Sequence, residues 1–417
     1  MAEYQRSYVT VLLERLSEVP SRLIAVFGPR QSGKTTIVRQ ALAQSTLVRR
    51  YEAVDEPDRS SALTSTPRLA IPDFSSEPRD AQWLLRTWEE SRQSAWESPN
   101  GAVLVLDEIQ KIPRWSEIVK GLWDADRAKG CPLHVVILGS APLLMQSGLT
   151  ESLAGRFEMI AVTHWSFAEM AAAFGFSVDE FVFFGGYPGT APLIGDVDRW
   201  SRYVLASLVQ PNIERDVLAM TRVDKPVLLA RLLELGALYS GQELSFNKML
   251  GPLQDAGNTT TLARYLDLLG AAGLLVGLAK HTERPIIRRS SSPKLNVLNT
   301  ALMSSIARYS FEEARSDRTF WGRLCESAVG AHLLNTASSR TAVRYWRDRG
   351  SEVDFVLQRG PRVVGIEVKS GRSMPRSPGA SVFERRFGAL PTVLVGDHGV
   401  PFEDFLLKPA DHWLDSS

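Results

Sequence analysis

Residues 28–35 read Gly-Pro-Arg-Gln-Ser-Gly-Lys-Thr, a complete G-x-x-x-x-G-K-[ST] phosphate-binding loop. The loop follows an apolar run, Leu23 to Phe27, and opens a segment with helical character, Thr35 to Leu42. Its glycines permit a tight turn whose N–H groups face one anion-sized hollow, and the helix adds its positive dipole end there. The pattern predicts a nucleoside triphosphate site, with a chance glycine turn as the alternative.

Each part of this loop has a predicted role in binding ATP and Mg²⁺. The lysine is placed to reach the β- and γ-phosphates, and the hydroxyl of the following threonine to coordinate Mg²⁺. The predicted cofactor-binding residues are Gly28, Pro29, Arg30, Gln31, Ser32, Gly33, Lys34, Thr35 and Thr36.

A second motif argues against a chance glycine turn. Residues 102–108, Ala-Val-Leu-Val-Leu-Asp-Glu, form an apolar strand that ends in two carboxylates, as a Walker B strand does. Asp107 is predicted to hold Mg²⁺, directly or through water, and Glu108 to orient and deprotonate the attacking water. The two motifs together predict ATP hydrolysis, which also requires a correctly placed neighbouring subunit.

Composition limits the other classes of function. The 417 residues exceed one compact core, so we expect two or three domains. A net charge of +1 gives no global attraction to nucleic acid or membrane, so such binding requires local patches. Cys131 and Cys325 lack metal-ligand spacing, and no apolar run approaches the roughly 20 residues of a membrane span. We expect a reduced, cytoplasmic protein without a membrane partner.

From Ser21 to about residue 166, strands alternate with helices, which predicts an α/β fold with a parallel sheet covered by helices. Residues 56–100 are rich in Ser, Pro, Arg and Glu and are predicted to form helices and a long surface loop rather than core. The predicted strands are Leu23–Phe27, Val48–Ala53, Val103–Leu106, His134–Leu138 and Met159–Thr163.

Two polar residues near this sheet are candidates for catalysis. Ser140 follows the fourth strand, where it would sense the γ-phosphate or cap the next helix. Arg156 lies on a turn beyond the sheet, where it would reach a neighbour's γ-phosphate as an arginine finger or form a surface ion pair.

The middle of the chain predicts a helix-turn-helix with a winged tail. Helices are expected at Leu228–Ser240, Ser245–Leu253 and Thr259–Ala272, and a strand at 273–278. This element would contact DNA or another protein. The third helix carries few basic residues, so the DNA-contact candidates follow it: His281, Arg284, Arg288, Arg289 and Lys294.

The last hundred residues contain a pattern similar to the D…E-x-K signature of restriction-endonuclease-like nucleases. Asp354 lies on one predicted strand, and Glu367 and Lys369 share one side of the next. In that arrangement the two carboxylates hold Mg²⁺ on a scissile phosphate and the lysine activates water. Glu326, on an upstream helix, matches an extra acidic ligand of this fold. Surface charge pairs, or a scaffold that binds without cutting, are the alternatives.

Arginines surround these strands and favour a track for phosphate backbones, interleaved with Tyr345 and Trp346. They outnumber the nearby acids. The arginines are Arg340, Arg344, Arg347, Arg349, Arg359, Arg362, Arg372 and Arg376.

Taken together, the motifs resemble a bacterial and archaeal family of AAA-type ATPases. Leu-Asp-Glu-Ile-Gln-Lys, Leu-Gly-Ser-Ala, Leu-Ala-Gly-Arg and Gly185-Gly186-Tyr187-Pro188 follow the phosphate loop in the expected order. The resemblance covers nearly the whole chain. It implies an AAA-type ATPase domain at 1–170, a helical and winged-helix region at 171–300, and a restriction-endonuclease-like domain at 301–417.

Three functions follow as hypotheses. The first is an ATP-driven motor or remodeller of branched or end-containing DNA, working as a homo-oligomer such as a hexameric ring. The second is a Mg²⁺-dependent nuclease that ATP controls. The third is a signalling NTPase whose carboxy-terminal region binds a protein.

Overall fold

The computed structural model describes residues 4–54, 78–139, 152–213, 224–253, 258–283, 291–371 and 378–416. Contacts divide the chain into two units. The first comprises Met1–Pro29 and Gly33–Val162, and the second Arg30–Ser32 and Thr163–Ser417. The domain limits expected from the sequence remain predictions. Several candidate residues lie outside the described residues: Ser140, Arg284, Arg288, Arg289, Arg372 and Arg376.

The first unit contains a five-stranded sheet in the order β2-β3-β4-β1-β5, with every neighbouring pair parallel. All five predicted strands are present, with ends within two residues of the expected positions, so the predicted α/β parallel sheet is confirmed. The strands are β1 (Leu23–Phe27), β2 (Val48–Ala53), β3 (Ala102–Asp107), β4 (Leu133–Gly139) and β5 (Phe157–Ala161).

Helices cover both faces of this sheet, which explains why β3 and β4 are apolar along almost their whole length. One face packs against α3 and α4, and the other against α1 and α2, each over its own buried apolar cluster. The helices are α1 (Tyr8–Ser17), α2 (Lys34–Gln44), α3 (Ala81–Glu97) and α4 (Trp115–Lys129).

The prediction that residues 56–100 avoid the core is wrong for helix α3. Asp80 caps this helix by accepting hydrogen bonds from the backbone N–H groups of Gln82 and Trp83. Trp83 and Trp88 are then buried against the sheet. The polar residues that suggested a surface segment occupy the other face of an amphipathic helix.

The second unit begins with a helical region. Three helices and a strand follow in the order predicted for residues 226–278, and that strand pairs antiparallel with a later one to form a hairpin. The first helices are α5 (Phe167–Phe174), α6 (Val178–Phe184) and α7 (Val197–Tyr203), with a 3₁₀ segment at Pro188–Leu193 and a π-helical segment at Val204–Val209. Next come α8 (Pro226–Leu238), α9 (Phe246–Leu250), α10 (Thr259–Ala271), β6 (Leu275–Leu278) and β7 (Lys294–Val297).

A four-stranded sheet in the order β11-β10-β9-β8 closes the second unit. Strands β8, β9 and β10 are antiparallel, and β11 is parallel to β10. Helix α13 contacts both β10 and β7. The elements are α11 (Ala301–Ala307), α12 (Phe311–Ser316), α13 (Arg318–Thr336), β8 (Ala342–Asp348), β9 (Ser351–Arg359), β10 (Arg362–Lys369), α14 (Pro378–Phe387), β11 (Leu390–Gly396), α15 (Phe402–Leu406) and α16 (His412–Asp415).

A membrane-crossing helix would need a long apolar stretch. Within the described ranges, none of the helices combines the length and apolar character that crossing requires.

A buried charge network between α3 and α4 gives a test of how the first unit is held together. The Asp126 carboxylate accepts from the Trp88 indole at 2.7 Å and from the Arg92 guanidinium at 2.5 Å. We expect Asp126→Ala to lower the free energy of unfolding by about 3 kcal/mol, because it leaves the buried Trp88 donor without its acceptor and removes the buried partner of Arg92, whose other carboxylate partner, Glu89, is exposed. Thermal unfolding would measure the loss.

Asp124→Ala on the same helix is the matched control, since Asp124 pairs with Arg156 at the surface. Its effect on stability should be much smaller. Equal losses for the two variants would contradict a special role for the buried network.

Candidate functional site

The phosphate loop takes its shape from two glycines. Gly33 has a φ of +86°, a left-handed conformation that glycine adopts without strain, and α2 begins at the next residue. At Gly28 a Cβ atom would lie 2.0 Å from the carbonyl oxygen of Val162, so only glycine fits. The sequence therefore places a helix N-terminus directly behind the loop, as phosphate binding requires.

Lys34 is held over the start of the loop. Its ammonium donates hydrogen bonds to the carbonyl oxygens of Gly28 at 2.9 Å and Pro29 at 2.8 Å. The three central loop residues, 30–32, are grouped with the second unit. There the Gln31 amide donates to the Tyr203 hydroxyl at 2.7 Å, and the Trp165 indole donates to the Ser32 carbonyl at 3.3 Å.

The loop and the end of β3 meet at Asp107. The Thr35 hydroxyl donates to the Asp107 Oδ2 at 3.3 Å, and the Tyr51 hydroxyl donates to the same oxygen. Burial raises the pKa of Tyr51, and its hydrogen bond to Asp107 raises that pKa further, so Tyr51 remains a donor at neutral pH. The sequence pattern missed Tyr51, although its position on the strand next to β3 was predicted.

Glu108 lies where the chain turns sharply after β3. Its φ of 56° and ψ of 31° are left-handed, a conformation that is strained for a residue with a side chain. The Gln110 amide donates to the Glu108 Oε2 at 2.6 Å, which orients the carboxylate. This strained, oriented carboxylate is placed next to Asp107, as the Walker B interpretation expects.

The residues at this end of the sheet fit a Mg²⁺ ion. Mg²⁺ prefers hard oxygen ligands, and the Thr35 hydroxyl and the Asp107 carboxylate supply two within hydrogen-bond distance of each other. Thr36, the last predicted cofactor-binding residue, follows on α2. The chain thus gathers a lysine, a hydroxyl and two acids at the helix N-terminus.

Arg156, the candidate arginine finger, makes a two-pronged ion pair with Asp124. Its Nε and Nη2 atoms lie 2.7 and 3.0 Å from the two carboxylate oxygens. Both side chains are partly exposed. The hydrogen bonds that Arg156 donates to Asp124 raise the pKa of Arg156. In this structure Arg156 therefore forms the surface pair that was the alternative interpretation.

In the second unit the four predicted carboxy-terminal residues come together. Glu326 lies on α13, Asp354 on β9, and Glu367 and Lys369 on β10. The Lys369 ammonium lies 2.7 Å from the Glu367 Oε1. The backbone N–H of Val368 donates to the Asp354 Oδ2 at 2.8 Å. The strand pairing expected from the sequence is what brings these groups side by side.

A fifth residue enters this cluster, and the sequence interpretation missed its role. The Lys294 ammonium lies 2.5 Å from the Glu326 Oε1 and 3.8 Å from the Asp354 Oδ1, and donates to the Asp354 carbonyl at 3.0 Å. Burial lowers the pKa of Lys294, but Glu326 and Asp354 outweigh burial and hold that pKa above its usual value. No local sequence pattern identified this role, because the strand Lys294–Val297 alternates polar and apolar residues.

Burial also perturbs the carboxyl groups. Burial raises the pKa of Glu326 to about 7 and that of Glu367 to about 7, with Asp354 adding to both shifts. Glu367 is 3% exposed, and its Oε2 has no hydrogen-bond partner among the described residues. The cluster is therefore a buried, crowded set of acids neutralised by two lysines.

This cluster fits a divalent metal poorly. Among the residues that the structure describes, there is no group of three or more His, Cys, Asp or Glu side chains arranged to hold a metal ion. Lys294 occupies the space between two of the predicted ligands. We therefore derive no metal-dependent step from this site.

The prediction of contact with nucleic acid is wrong for several residues, because their side chains are buried. His281 is packed against Phe383 and Phe387, and Lys294 lies in the acidic cluster. Tyr345 and Trp346 are 3% and 1% exposed, so neither ring is open to stack on a base.

Of the predicted arginine track, three members already make ion pairs within the chain, and one of them, Arg347, lies 3.7 Å from the Glu352 carboxylate. Arg359 contacts Asp411 and Asp415, and Arg362 lies 3.2 Å from the Asp415 carboxylate. Arg344 donates to the Gln358 side chain. These contacts reduce the track to a smaller number of basic side chains.

A basic groove, lined by residues of the second unit only, contains Arg347 and Arg349 of this track, whereas Arg340 lies outside it. We call it the α9–β8 groove; its charged lining residues are Lys248, Lys280, Arg347, Arg349, Glu243 and Asp348. Asp348 is engaged by Arg386, and the closest approach of Arg347 to Glu243 is 3.9 Å. Cations therefore predominate in a concave, solvent-exposed surface. Lys248 and Lys280 were missed because they are far from the arginines in sequence.

The raised pKa of Glu367 predicts how stability depends on pH. Its ordinary value of 4.5 applies to the unfolded chain, so between about pH 4.5 and 7 the folded state binds more protons. The free energy of unfolding should fall as pH rises through that window, by on the order of 2–3 kcal/mol. Glu367→Gln should reduce this slope in thermal unfolding measured from pH 5 to pH 8, and the raised pKa of Glu326 should account for the slope that remains.

Glu352→Gln is the control, since Glu352 lies on the neighbouring strand with its side chain 59% exposed. It should change the pH slope much less than Glu367→Gln, because Glu352 makes the smallest contribution to the raised pKa of Glu367. A slope that is the same in wild type and Glu367→Gln would contradict the buried, high-pKa assignment.

Comparisons with known proteins agree with the geometry of the first unit. Residues 20–171 match the family described as an AAA domain. Residues 175–313 and 321–399 match two domains of unknown function, DUF8612 and DUF4143. A search of curated proteins found no significant match.

Among solved structures, the chain is similar to the Walker-type ATPase PABY2304 of Pyrococcus abyssi, with 15% identity and a TM-score of 0.50. That match covers 73% of this chain and 96% of the other. The Aeropyrum pernix ORC1 protein in complex with DNA also matches, at 12% identity and a TM-score of 0.30, over 78% of this chain and 95% of the other. AMPPCP-bound DnaA from Aquifex aeolicus matches at 14% identity and a TM-score of 0.31, over 63% and 86%.

The last two scores are too low to carry an argument. The family match, the strand order and the meeting of the loop with the end of β3 point to one conclusion. Residues 20–171 form an AAA-type P-loop ATPase domain.

Proposed function

We propose that this chain couples ATP binding and hydrolysis to the remodelling or translocation of DNA, with branched or end-containing DNA as its substrate. The observation that carries the ATPase part is the contact between Thr35 and Asp107, at 3.3 Å, beside the oriented carboxylate of Glu108. These groups meet at the N-terminus of α2, where anions are favoured.

The proposed chemistry assigns a task to each side chain. Lys34 gives up its carbonyl contacts to bind the β- and γ-phosphates, and Thr35 and Asp107 hold Mg²⁺. When bound, Mg²⁺ neutralises charge on the phosphates. Glu108, positioned by Gln110, accepts a proton from the attacking water. Tyr51 keeps Asp107 in place through its hydrogen bond.

Two further residues complete the proposal: Arg156 at the subunit boundary and Ser140 beside the γ-phosphate. In a homo-oligomer such as a hexameric ring, Arg156 would leave Asp124 to contact a neighbour's γ-phosphate as an arginine finger. The pair it leaves is partly exposed, so breaking it costs little. Ser140 would act as the γ-phosphate sensor. An exchange of partners by Arg156 would link hydrolysis to subunit contacts.

DNA binding is proposed for the second unit. Helices α8, α9 and α10 followed by the β6–β7 hairpin have the order of a winged helix, and the α9–β8 groove presents cations beside it. The groove includes the N-terminus of α9, where Ser245 caps the helix. A charged groove without a side-chain pattern for base edges suits sequence-independent contact with phosphates.

The carboxy-terminal sheet is proposed to be a restriction-endonuclease-like fold that binds DNA. Its element order, a helix, three antiparallel strands, a helix and a parallel strand, supports this assignment. The contacts of Lys294 weigh against the nuclease alternative. That alternative predicts cutting that Asp354→Ala or Glu367→Ala abolishes while ATP hydrolysis continues.

ATP hydrolysis is the first property to measure. We expect Lys34→Ala to abolish both tight nucleotide binding and hydrolysis, because it removes the cation that binds the phosphates. Glu108→Gln should retain ATP binding and lose at least about 100-fold in turnover, because it removes the proton acceptor. Steady-state phosphate release and fluorescent-nucleotide binding would separate the two effects.

Glu117→Gln is the control, since Glu117 is an exposed carboxylate on α4 paired with Arg114. It should hydrolyse ATP at the wild-type rate. Wild-type turnover by Glu108→Gln would overturn the role assigned to that carboxylate.

DNA binding in the groove predicts a change in salt dependence. Lys248→Ala and Lys280→Ala should each weaken binding to every DNA form and reduce the slope of log affinity against log salt by about 1. Fluorescence anisotropy with single-stranded, duplex and four-way-junction DNA would measure both, alongside ATP hydrolysis with each DNA.

Lys408→Ala, an exposed lysine outside the groove, should change neither slope nor affinity. Strong stimulation of hydrolysis by one DNA form would identify the substrate. Hydrolysis that is indifferent to all three forms would remove the motor hypothesis and favour the signalling NTPase that binds a protein partner.

A further inference from the structure

The carboxy-terminal acidic cluster already contains a cation that belongs to the chain. Lys294 is 6% exposed, and its ammonium is surrounded by three oxygens: a carboxylate oxygen of Glu326, one of Asp354 and the Asp354 carbonyl. The ammonium also lies 4.6 Å from the centre of the Phe355 ring. A buried ammonium is stable only with such partners, and each partner is within reach.

The Glu326 and Asp354 carboxylates are in turn stabilised by the Lys294 ammonium. Glu326 and Asp354 lie close together in a buried site, where two like charges repel strongly unless a positive charge lies between them. A divalent ion would meet the same oxygens. Lys294, supplied by β7 of the hairpin, takes that position.

The remaining acids are also engaged within the chain. Asp354 accepts from the Val368 N–H with its second oxygen, and Glu367 pairs with Lys369. Among the fully buried atoms of this cluster, the Glu367 Oε2 lacks a hydrogen-bond partner in the described residues. With Glu326 and Glu367 each paired to a lysine and Asp354 bound by the Val368 N–H, a Mg²⁺ ion would have to displace a cation of the chain from the carboxylates it uses.

We propose that Lys294 is the resident cation of this acidic site, replacing a divalent metal and tying the β6–β7 hairpin to the carboxy-terminal sheet. The site is then a buried salt link rather than a metal centre. This inference does not depend on ATP hydrolysis or on DNA binding, so its tests can fail while the proposed function stands.

The first test is Mn²⁺ binding to the full-length chain, followed by electron paramagnetic resonance. It uses Asp107→Asn protein without nucleotide, so that the ATPase domain contributes little signal. We expect the acidic cluster to bind no Mn²⁺, so Asp354→Asn and Glu367→Gln should leave the Mn²⁺ signal unchanged. Stoichiometric binding that either substitution abolishes would overturn the proposal.

The second test replaces the lysine. Lys294→Met should lower the unfolding midpoint by roughly 5 °C or more, because Glu326 is left buried without its cation. The same variant should gain Mn²⁺ binding that Asp354→Asn removes. Lys369→Met is the matched control, since it leaves Lys294 in place and should not create that binding.

A double variant keeps the test decisive if Lys294→Met fails to fold. Lys294→Met combined with Glu326→Gln removes the cation and its closest partner together, so it should recover most of the lost stability. A double variant no more stable than Lys294→Met, or a Lys294→Met protein as stable as wild type, would show that the two residues are not coupled and would overturn the proposal.

Discussion

The register of the parallel sheet decides where the chemistry of the first unit can occur. Val26 of β1 and Asp107 of β3 are both level with Leu138 of β4, the strand between them. The phosphate loop therefore starts just beyond the level at which Asp107 ends its strand. A shift of one residue in either pairing would turn Asp107 to the other face and separate it from Thr35. Tight apolar packing on both faces of the sheet opposes that shift.

The second unit depends on a different constraint, which is the neutralisation of buried charge. Three carboxylates on α13, β9 and β10 face two lysines in a site that is largely buried, with Glu367 and Lys294 the least exposed of the five. Each element contributes a group whose burial is tolerated only when its partners are present. Packing of α13 against β7 and β10 is therefore coupled to charge as well as to apolar contact.

Local patterns predicted most of the first unit from the sequence. The phosphate loop and the apolar β3 strand carry their signals within a few residues, and both ends of every predicted strand were close to those observed. Helix α3 was misjudged because composition was averaged over a segment in which one face is buried and the other polar. Tyr51 was not recognised because its contact depends on strand pairing rather than on a motif.

The second unit was harder to predict because its decisive contacts join residues distant in sequence. Alternation along β8 predicts that Tyr345 and Trp346 face opposite sides, but the register shifts between Arg344 and Trp346, and both rings are buried. All four residues of β7 are buried, so the rule that lysine is exposed fails at Lys294. Its partners are Glu326 and Asp354, and no sequence motif relates these two residues to the β6–β7 hairpin.

Two lysines illustrate how surroundings determine what a cation can do. Lys34 donates to two backbone carbonyl oxygens, neutral partners that an anionic phosphate outcompetes. Lys294 is held by two carboxylates, with its side chain buried and its ammonium against Phe355. An incoming cation must therefore bind those carboxylates more strongly than the lysine does. A divalent cation must first displace this buried lysine from its two carboxylates. The residue types of the D…E-x-K pattern are therefore not sufficient for metal chemistry, because the side chain between the carboxylates decides which cation they hold.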